Sequence, residues 1–171
     1  MQEIYVEDIR KILINKKKLE KELDVKITNK GKNVFIDGEA DKEYTSLEVL
    51  RAINTSFSVD KALILKEDGM SLQILYIRDI TRRNDLDTVR GRIIGTQGKT
   101  LNTLKKLTGC EIVVHDNNIG IIGSAENIEY CVQAITSLIR GSKQGNVYAR
   151  LEKEKKKRKQ YDDEEFIGFE D

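Results

Sequence analysis

Apolar and polar positions along this chain follow two spacings, which predict strands and helices in a recurring order. After Lys99, the residues Leu101, Leu104 and Leu107 recur at helical spacing, and Gly109 is suited to end that helix. The second half is predicted as strand, helix, helix, strand, strand, helix, over residues 71–77, 86–94, 99–107, 111–115, 119–122 and 124–140. Ser124 is expected to cap the last helix.

The first half repeats this order. Strands are predicted at residues 4–6, 25–28 and 34–36, a helix at 41–56, and a short connecting helix at 58–65. Residues 33–40 resemble residues 118–125 at an offset of 85, which aligns Gly38 with Gly123. Nearer the start of each half the offset is 81, which aligns Lys11 with Arg92. The first copy is therefore shorter by about four residues, at residues 14–17.

The segment missing from the first copy is Gly95-Thr96-Gln97-Gly98 in the second. A P-loop or a dinucleotide-binding glycine motif would need glycine at position 93, where the chain has Ile93. A Gly-x-x-Gly loop that holds the backbone of about four nucleotides fits the residues instead. A simple corner between two helices fits them as well.

Local charge favours nucleic acid, although the net charge of the 171 residues is only +1. Residues 88–110 carry five basic side chains and no acidic one: Arg90, Arg92, Lys99, Lys105 and Lys106. Clustered cations supply affinity for a phosphate backbone. A solvated helix face is the alternative, but such a face normally mixes both signs of charge.

Several function classes lack support in the sequence. Cys110 and Cys131 are too few and too far apart for a zinc site, and we expect both to be buried and reduced. The single histidine, His115, has no nucleophile arranged around it, so we expect neither an enzyme nor a cofactor or metal. Without an apolar run of membrane-spanning length or signal-peptide features at the start, a cytoplasmic protein with no membrane partner is expected.

Residues 91–100, 107–112 and 119–123 together resemble a type I KH domain. With the shortened first copy and residues 139–152, the chain resembles the archaeal and eukaryotic two-KH ribosome-assembly factors of the Dim/Krr type. The resemblance implies an α+β fold of two type I KH domains in tandem, each a three-stranded antiparallel sheet with three helices. We expect a degenerate KH domain at 1–57, a connecting helix at 58–69, the Gly-x-x-Gly domain at 70–145, and a basic helix with an acidic tail at 146–171. The lack of a long N-terminal extension favours the archaeal form.

The resemblance implies binding of single-stranded small-subunit rRNA near its 3′ end during maturation. It also implies contact with the endonuclease that trims that end and, in archaea, with the alpha subunit of translation initiation factor two. A KH module for mRNA or RNA decay is the alternative. A third class, a nucleotide-dependent enzyme, conflicts with Ile93.

In such a groove, phosphates lie against the glycine loop and bases rest on an apolar floor. Aromatic residues are 6% of the chain, with no Trp, which argues against RNA modules built on exposed aromatic platforms. The RNA-binding set is predicted to be Arg90, Arg92, Ile94, Gly95, Thr96, Gln97, Gly98, Lys99, Lys105, Ile112 and Val113.

The first copy is expected to bind protein or brace the second. The basic block 153–159 and acidic block 162–165 predict a solvated helix end running into a disordered terminus, with an auxiliary rRNA contact as the alternative.

Overall fold

The computed structural model describes residues 1–167. The first half contains β1 (Gln2–Tyr5), α1 (Ile9–Ile14), α2 (Lys16–Leu23), β2 (Lys26–Lys30), β3 (Asn33–Asp37) and α3 (Ala40–Asn54). Asp8 starts α1, because its carboxylate accepts the backbone N–H of Arg10 at 3.2 Å. The strands form an antiparallel sheet in the order β1-β3-β2, with Ile27 opposite Ile36.

A short helix, α4 (Val59–Ala62), and a 3₁₀ turn (Leu63–Lys66) lead into the second half. There the elements are β4 (Met70–Tyr76), α5 (Ile77–Ile80), α6 (Leu86–Ile94), α7 (Lys99–Thr108), β5 (Glu111–His115), β6 (Asn118–Ser124), α8 (Ala125–Ile139) and α9 (Gln144–Ile167). The second sheet has the order β4-β6-β5. The predicted α+β fold with two three-stranded antiparallel sheets is confirmed.

The internal repeat is visible in the element bounds. Adding 85 to the residue numbers of α3 gives the first and last positions of α8. The same offset gives the bounds of β5 from those of β2. Before these elements the copies differ, because α1 and α2 are separated by Asn15 alone, whereas Gly95–Gly98 lie between α6 and α7. The predicted shortening of the first copy is therefore confirmed.

The contacts divide the chain into two compact units. Unit 1 contains Met1–Leu75 and Glu111–Ala125, and unit 2 contains Tyr76–Cys110 and the chain from Glu126 onward. In unit 1, Phe57 is 1% exposed, and a Cβ at Gly120 would lie 2.7 Å from its ring. Strand β6 therefore needs glycine at position 120, because any side chain there would occupy the space of a buried aromatic ring.

In unit 2, helix α8 carries Ile135 and Leu138, which are fully buried. Helix α9 contributes Val147 and Leu151, which are 3% and 4% exposed. Two turns beyond Leu151, the guanidinium of Arg158 lies 4.4 Å from the centre of the Tyr130 ring and donates to Asn127 Oδ1 at 2.5 Å. These contacts fix the position of α9 within unit 2.

Two local predictions are corrected. Ile77 begins the short helix α5 instead of ending a strand. The disordered terminus predicted after the basic block is wrong as far as residue 167, because α9 continues through the acidic block. Lys, Arg and Glu have high helix propensity, so a helix anchored at Val147 and Leu151 propagates readily through this run. Residues 168–171 lie outside the described part of the chain.

Candidate nucleic-acid interface

The loop between α6 and α7 depends on glycine at its first position. Gly95 has φ +73° and ψ 176°, a conformation essentially restricted to glycine. A Cβ at Gly95 would lie 2.2 Å from Thr100 Oγ1 and 2.8 Å from the Thr100 backbone nitrogen. Thr100 is 4% exposed and cannot yield, so the loop folds back onto the start of α7 only because residue 95 has no side chain.

The second glycine has a different role. Gly98 has φ +74° and ψ 13°, the left-handed conformation, but a Cβ there would meet no atom within 4 Å. Gln97 is also left-handed, with φ 54°. Two consecutive left-handed residues turn the chain sharply into α7, whose N-terminus carries the positive end of the helix dipole. The Gly-x-x-Gly loop is therefore closely turned.

The tip of the loop faces solvent. Thr96, Gln97 and Lys99 are all exposed. Farther along α7, Lys106 is exposed and Lys105 is half-buried. Within residues 1–167, Lys99, Lys105 and Lys106 form no ion pair, so these three cations are available to an anionic ligand.

The two arginines of α6 are already engaged within unit 2. Arg90 forms an ion pair with Asp87, one turn earlier in the helix. Arg92 is half-buried, and its guanidinium donates to the carbonyl oxygen of Ser142 at 2.8 Å. Asp87 lies one residue before the acid-free segment 88–110, so the sequence count missed it. Arg90 thus contributes less free charge than the sequence indicated.

The three apolar residues of the predicted set lie in two units. Ile94 is half-buried at the end of α6, in unit 2. Ile112 and Val113 belong to β5, in unit 1. Ile112 is 1% exposed opposite Ile121, and Val113 packs against the core of unit 1. Ile112 is therefore a core residue of the sheet, whereas Ile94 and Val113 keep partly accessible side chains.

A cleft of about 640 Å³ opens beside the loop. Its walls come from α6, the loop, the first turns of α7 and the first turns of α9. The contribution of α9 consists of Gln144 and Tyr148, which the sequence reasoning missed. Their i, i+4 spacing at a helix start was the only available signal, and it did not reveal which helix would lie next to them.

The described residues contain no group of three or more His, Cys, Asp or Glu side chains that could hold a metal ion. Cys110 and Cys131 are both free and buried, as predicted. The hydrogen bond with Cys110, together with burial, raises the pKa of the Cys131 thiol. In residues 1–167, every helix is too short or too polar to cross a bilayer.

Comparison with known proteins places this geometry in a family. A family model described as a eukaryotic-type KH domain (KH-domain type I), the second KH domain of PNO1, matches residues 71–156. A KH domain-containing protein of Methanocaldococcus jannaschii is 31% identical over 149 residues, which cover 83% of this chain and 66% of that protein. The pre-rRNA-processing protein pno1 of Schizosaccharomyces pombe is 32% identical over 75% of this chain and 57% of its own length. The chain thus spans less than two thirds of these curated relatives.

Solved structures agree with the sequence matches. Dim2p from Pyrococcus horikoshii superimposes with a TM-score of 0.81 at 33% identity, covering 90% of this chain and 99% of that one. The corresponding chain from a complex of a/eIF2alpha, aDim2p and rRNA gives a TM-score of 0.82 at 30% identity, covering 91% and 94%. A protein from Aeropyrum pernix shares the fold, with a TM-score of 0.89 at 23% identity. On these matches, the chain belongs to the Dim2/PNO1 family of type I KH-domain proteins.

Proposed function

We propose that this chain is an RNA-binding ribosome-assembly factor that binds single-stranded small-subunit rRNA near its 3′ end and assists its maturation. The observation that carries the proposal is the conformation of the Gly-x-x-Gly loop. Position 95 has no room for a side chain, and the tip of the loop is exposed to solvent. Relatives bearing the name pre-rRNA-processing protein, and a solved relative in complex with rRNA, support the same ligand.

The loop is suited to phosphate. Closely turned backbone brings N–H groups to the surface, and the dipole of the ten-residue α7 favours a negative charge at its N-terminus. Thr96 and Gln97 add polar side chains at the same place, and Lys99 adds a full positive charge. Contacts of this kind hold a backbone without reading its sequence. Recognition of bases must therefore come from other side chains, among which the half-buried Ile94 at the end of α6 is a candidate.

The first repeat acts in this proposal as a degenerate KH domain that braces the second or binds protein. Its elements follow the order of the second repeat except for the short helix α5, and Asn15 alone stands in place of the loop. Ile14, at the end of α1, is 82% exposed, which is unusual for an isoleucine in a folded unit. We propose the rRNA 3′-end endonuclease and the alpha subunit of translation initiation factor two as protein partners. The solved complex that contains a/eIF2alpha supports the second.

The test compares matched charge changes in the two repeats. In the second, Thr96→Asp with Gln97→Asp places two carboxylates where phosphates bind, and affinity for a single-stranded rRNA 3′-end oligomer should fall at least tenfold, about 1.4 kcal/mol. In the first, Lys16→Glu with Lys17→Glu should reduce affinity less. Duplex RNA should bind more weakly than the single strand, because a groove for unstacked bases does not accept paired ones.

Equal losses from both double variants would contradict the assignment of RNA binding to the second repeat. Lys155→Glu with Lys156→Glu on α9 controls for nonspecific attraction, since both lysines are exposed and lie outside the cleft lining. Crosslinking in cells followed by sequencing distinguishes rRNA from mRNA as the ligand. Recovery of mRNA alone would overturn the ribosomal role.

A further inference from the structure

The cleft beside the Gly-x-x-Gly loop has an aromatic wall that phosphate binding does not use. We propose that Tyr148 stacks on a nucleobase of the RNA strand whose phosphates occupy the loop, with the base seated between the α6–α7 hairpin and the start of α9. The inference rests on the proposed function and adds a base-binding site formed by a helix outside the repeated βααββα pattern.

The cleft has the size and charge that a nucleotide requires. Its volume of about 640 Å³ lies within the ~300–1,000 Å³ common for small-ligand sites. The lining includes Lys99 and Arg92 and no carboxylate, although acidic residues make up a sixth of the chain, 29 of 171. Gly95 and Thr96 form one edge, so a strand held at the loop passes directly beside the opening.

The start of α9 is fixed to the loop hairpin by hydrogen bonds. Gln144 Nε2 donates to Thr100 Oγ1 at 3.0 Å and to the carbonyl oxygen of Arg92 at 3.3 Å. The Arg92 guanidinium, in turn, donates to the Ser142 carbonyl just before α9. Gly95 also packs closely against Thr100. The same buried threonine therefore contacts both the Gly-x-x-Gly loop and the start of α9. The turn of α9 that carries Tyr148 is therefore anchored beside the loop by contacts that involve no ligand.

Tyr148 is free to stack, in contrast to the tyrosine that α8 supplies. Tyr130 is covered by the guanidinium of Arg158 at 4.4 Å. Tyr148 is half-buried and is the only aromatic residue in the cleft lining. Among the side chains of residues 1–165, the Tyr148 hydroxyl makes no hydrogen bond, and no cation or second ring lies over the Tyr148 ring. Bases stack on such rings whatever their identity, because every base has a π-face.

The test uses the full chain and a single-stranded rRNA 3′-end dodecamer. Base–aromatic stacking contributes ~1–3 kcal/mol, so Tyr148→Leu should lower affinity at least fivefold. Tyr148→Phe keeps the ring and should bind within twofold of the unmodified chain. Tyr161→Leu is the matched control, because Tyr161 lies on the same helix, is 70% exposed, and is absent from the cleft lining. It should leave affinity unchanged.

A spectroscopic reporter excludes a merely structural effect. The chain has no tryptophan, so Tyr148→Trp creates a unique indole, whose fluorescence should be quenched when the dodecamer binds. Tyr161→Trp should show no quenching. Abasic nucleotides placed at successive positions of the dodecamer should identify one position at which loss of the base lowers the affinity of the unmodified chain. The same loss should not lower the affinity of Tyr148→Leu, since both changes remove the same contact.

The outcomes separate this inference from the function on which it rests. If Thr96→Asp with Gln97→Asp weakens binding while Tyr148→Leu binds normally and the indole at 148 stays unquenched, the inference is wrong and the proposed function stands. If the loop variant binds normally, the proposed function itself fails. Quenching by a free nucleotide at the same concentration as by the dodecamer would overturn the strand-coupled site in favour of a mononucleotide pocket.

Discussion

Alanine at Gly95 should destabilise the protein far more than alanine at Gly98, although both glycines have positive φ. At Gly95 the backbone conformation alone disfavours any other residue by ~1–3 kcal/mol. The added Cβ would also lie 2.2 Å from Thr100 Oγ1, and forcing atoms into a packed site costs a further ~1–3 kcal/mol. The total is about 2–6 kcal/mol.

At Gly98 only the left-handed conformation has to be offset, because the position opens onto free space. The expected loss is about 1–2 kcal/mol. Gly91 provides the matched control, since it lies inside α6 with no atom within 4 Å of a Cβ, and its φ is not positive. Alanine there should stabilise the helix by about 0.5–1 kcal/mol.

Urea unfolding followed by far-ultraviolet circular dichroism measures all three variants against the unmodified chain. Melting temperatures should follow the same order, at roughly 2–4 °C per kcal/mol for a chain of this size. Equal destabilisation by Gly95→Ala and Gly98→Ala would refute the steric argument. A loss of stability from Gly91→Ala would show that α6 is not helical at that residue.

Three further results are expected. The logarithm of RNA affinity should fall against the logarithm of salt concentration with a slope of about −2, because the three unpaired lysines of α7 would each release counterions from a single strand at ~0.7 per contact. A slope twice as steep would implicate the Lys-rich part of α9. Native protein should resist iodoacetamide, since Cys110 and Cys131 are buried and the pKa of the Cys131 thiol is raised; rapid modification without unfolding would contradict that burial. The hydrogen bond from Lys42 lowers the pKa of Asp24 in the folded protein. The stability that the ionised Asp24 contributes is therefore fully present above the unfolded-state pKa of about 3.9, and it is lost as the pH falls through the lowered folded-state pKa. Asp24→Asn, which tolerates the left-handed φ of 52°, should flatten the acid side of the stability profile, and an unchanged acid side would rule out this contribution.

The order of elements was decided largely by local sequence. Helix α6 begins and ends at the predicted residues, and β5 does so as well, because apolar spacing and glycine positions act within a few residues of one another. The missing loop of the first copy was equally visible, since an insertion changes the repeat offset. The Gly-x-x-Gly segment and its resemblance to a KH domain required no tertiary information.

Long-range contacts decided which predicted residues remain available. Arg90 forms an ion pair with Asp87, which lies just outside the acid-free segment 88–110. The Arg92 guanidinium donates a hydrogen bond to the carbonyl oxygen of Ser142, fifty residues later in the chain. Ile112 was assigned to bases from its place on a strand, but packing made it part of the sheet core. Tyr148 became a candidate only because buried Thr100 brings α9 against the loop. A pattern read along the chain fixes local conformation, whereas exposure and pairing depend on neighbours that are distant in sequence.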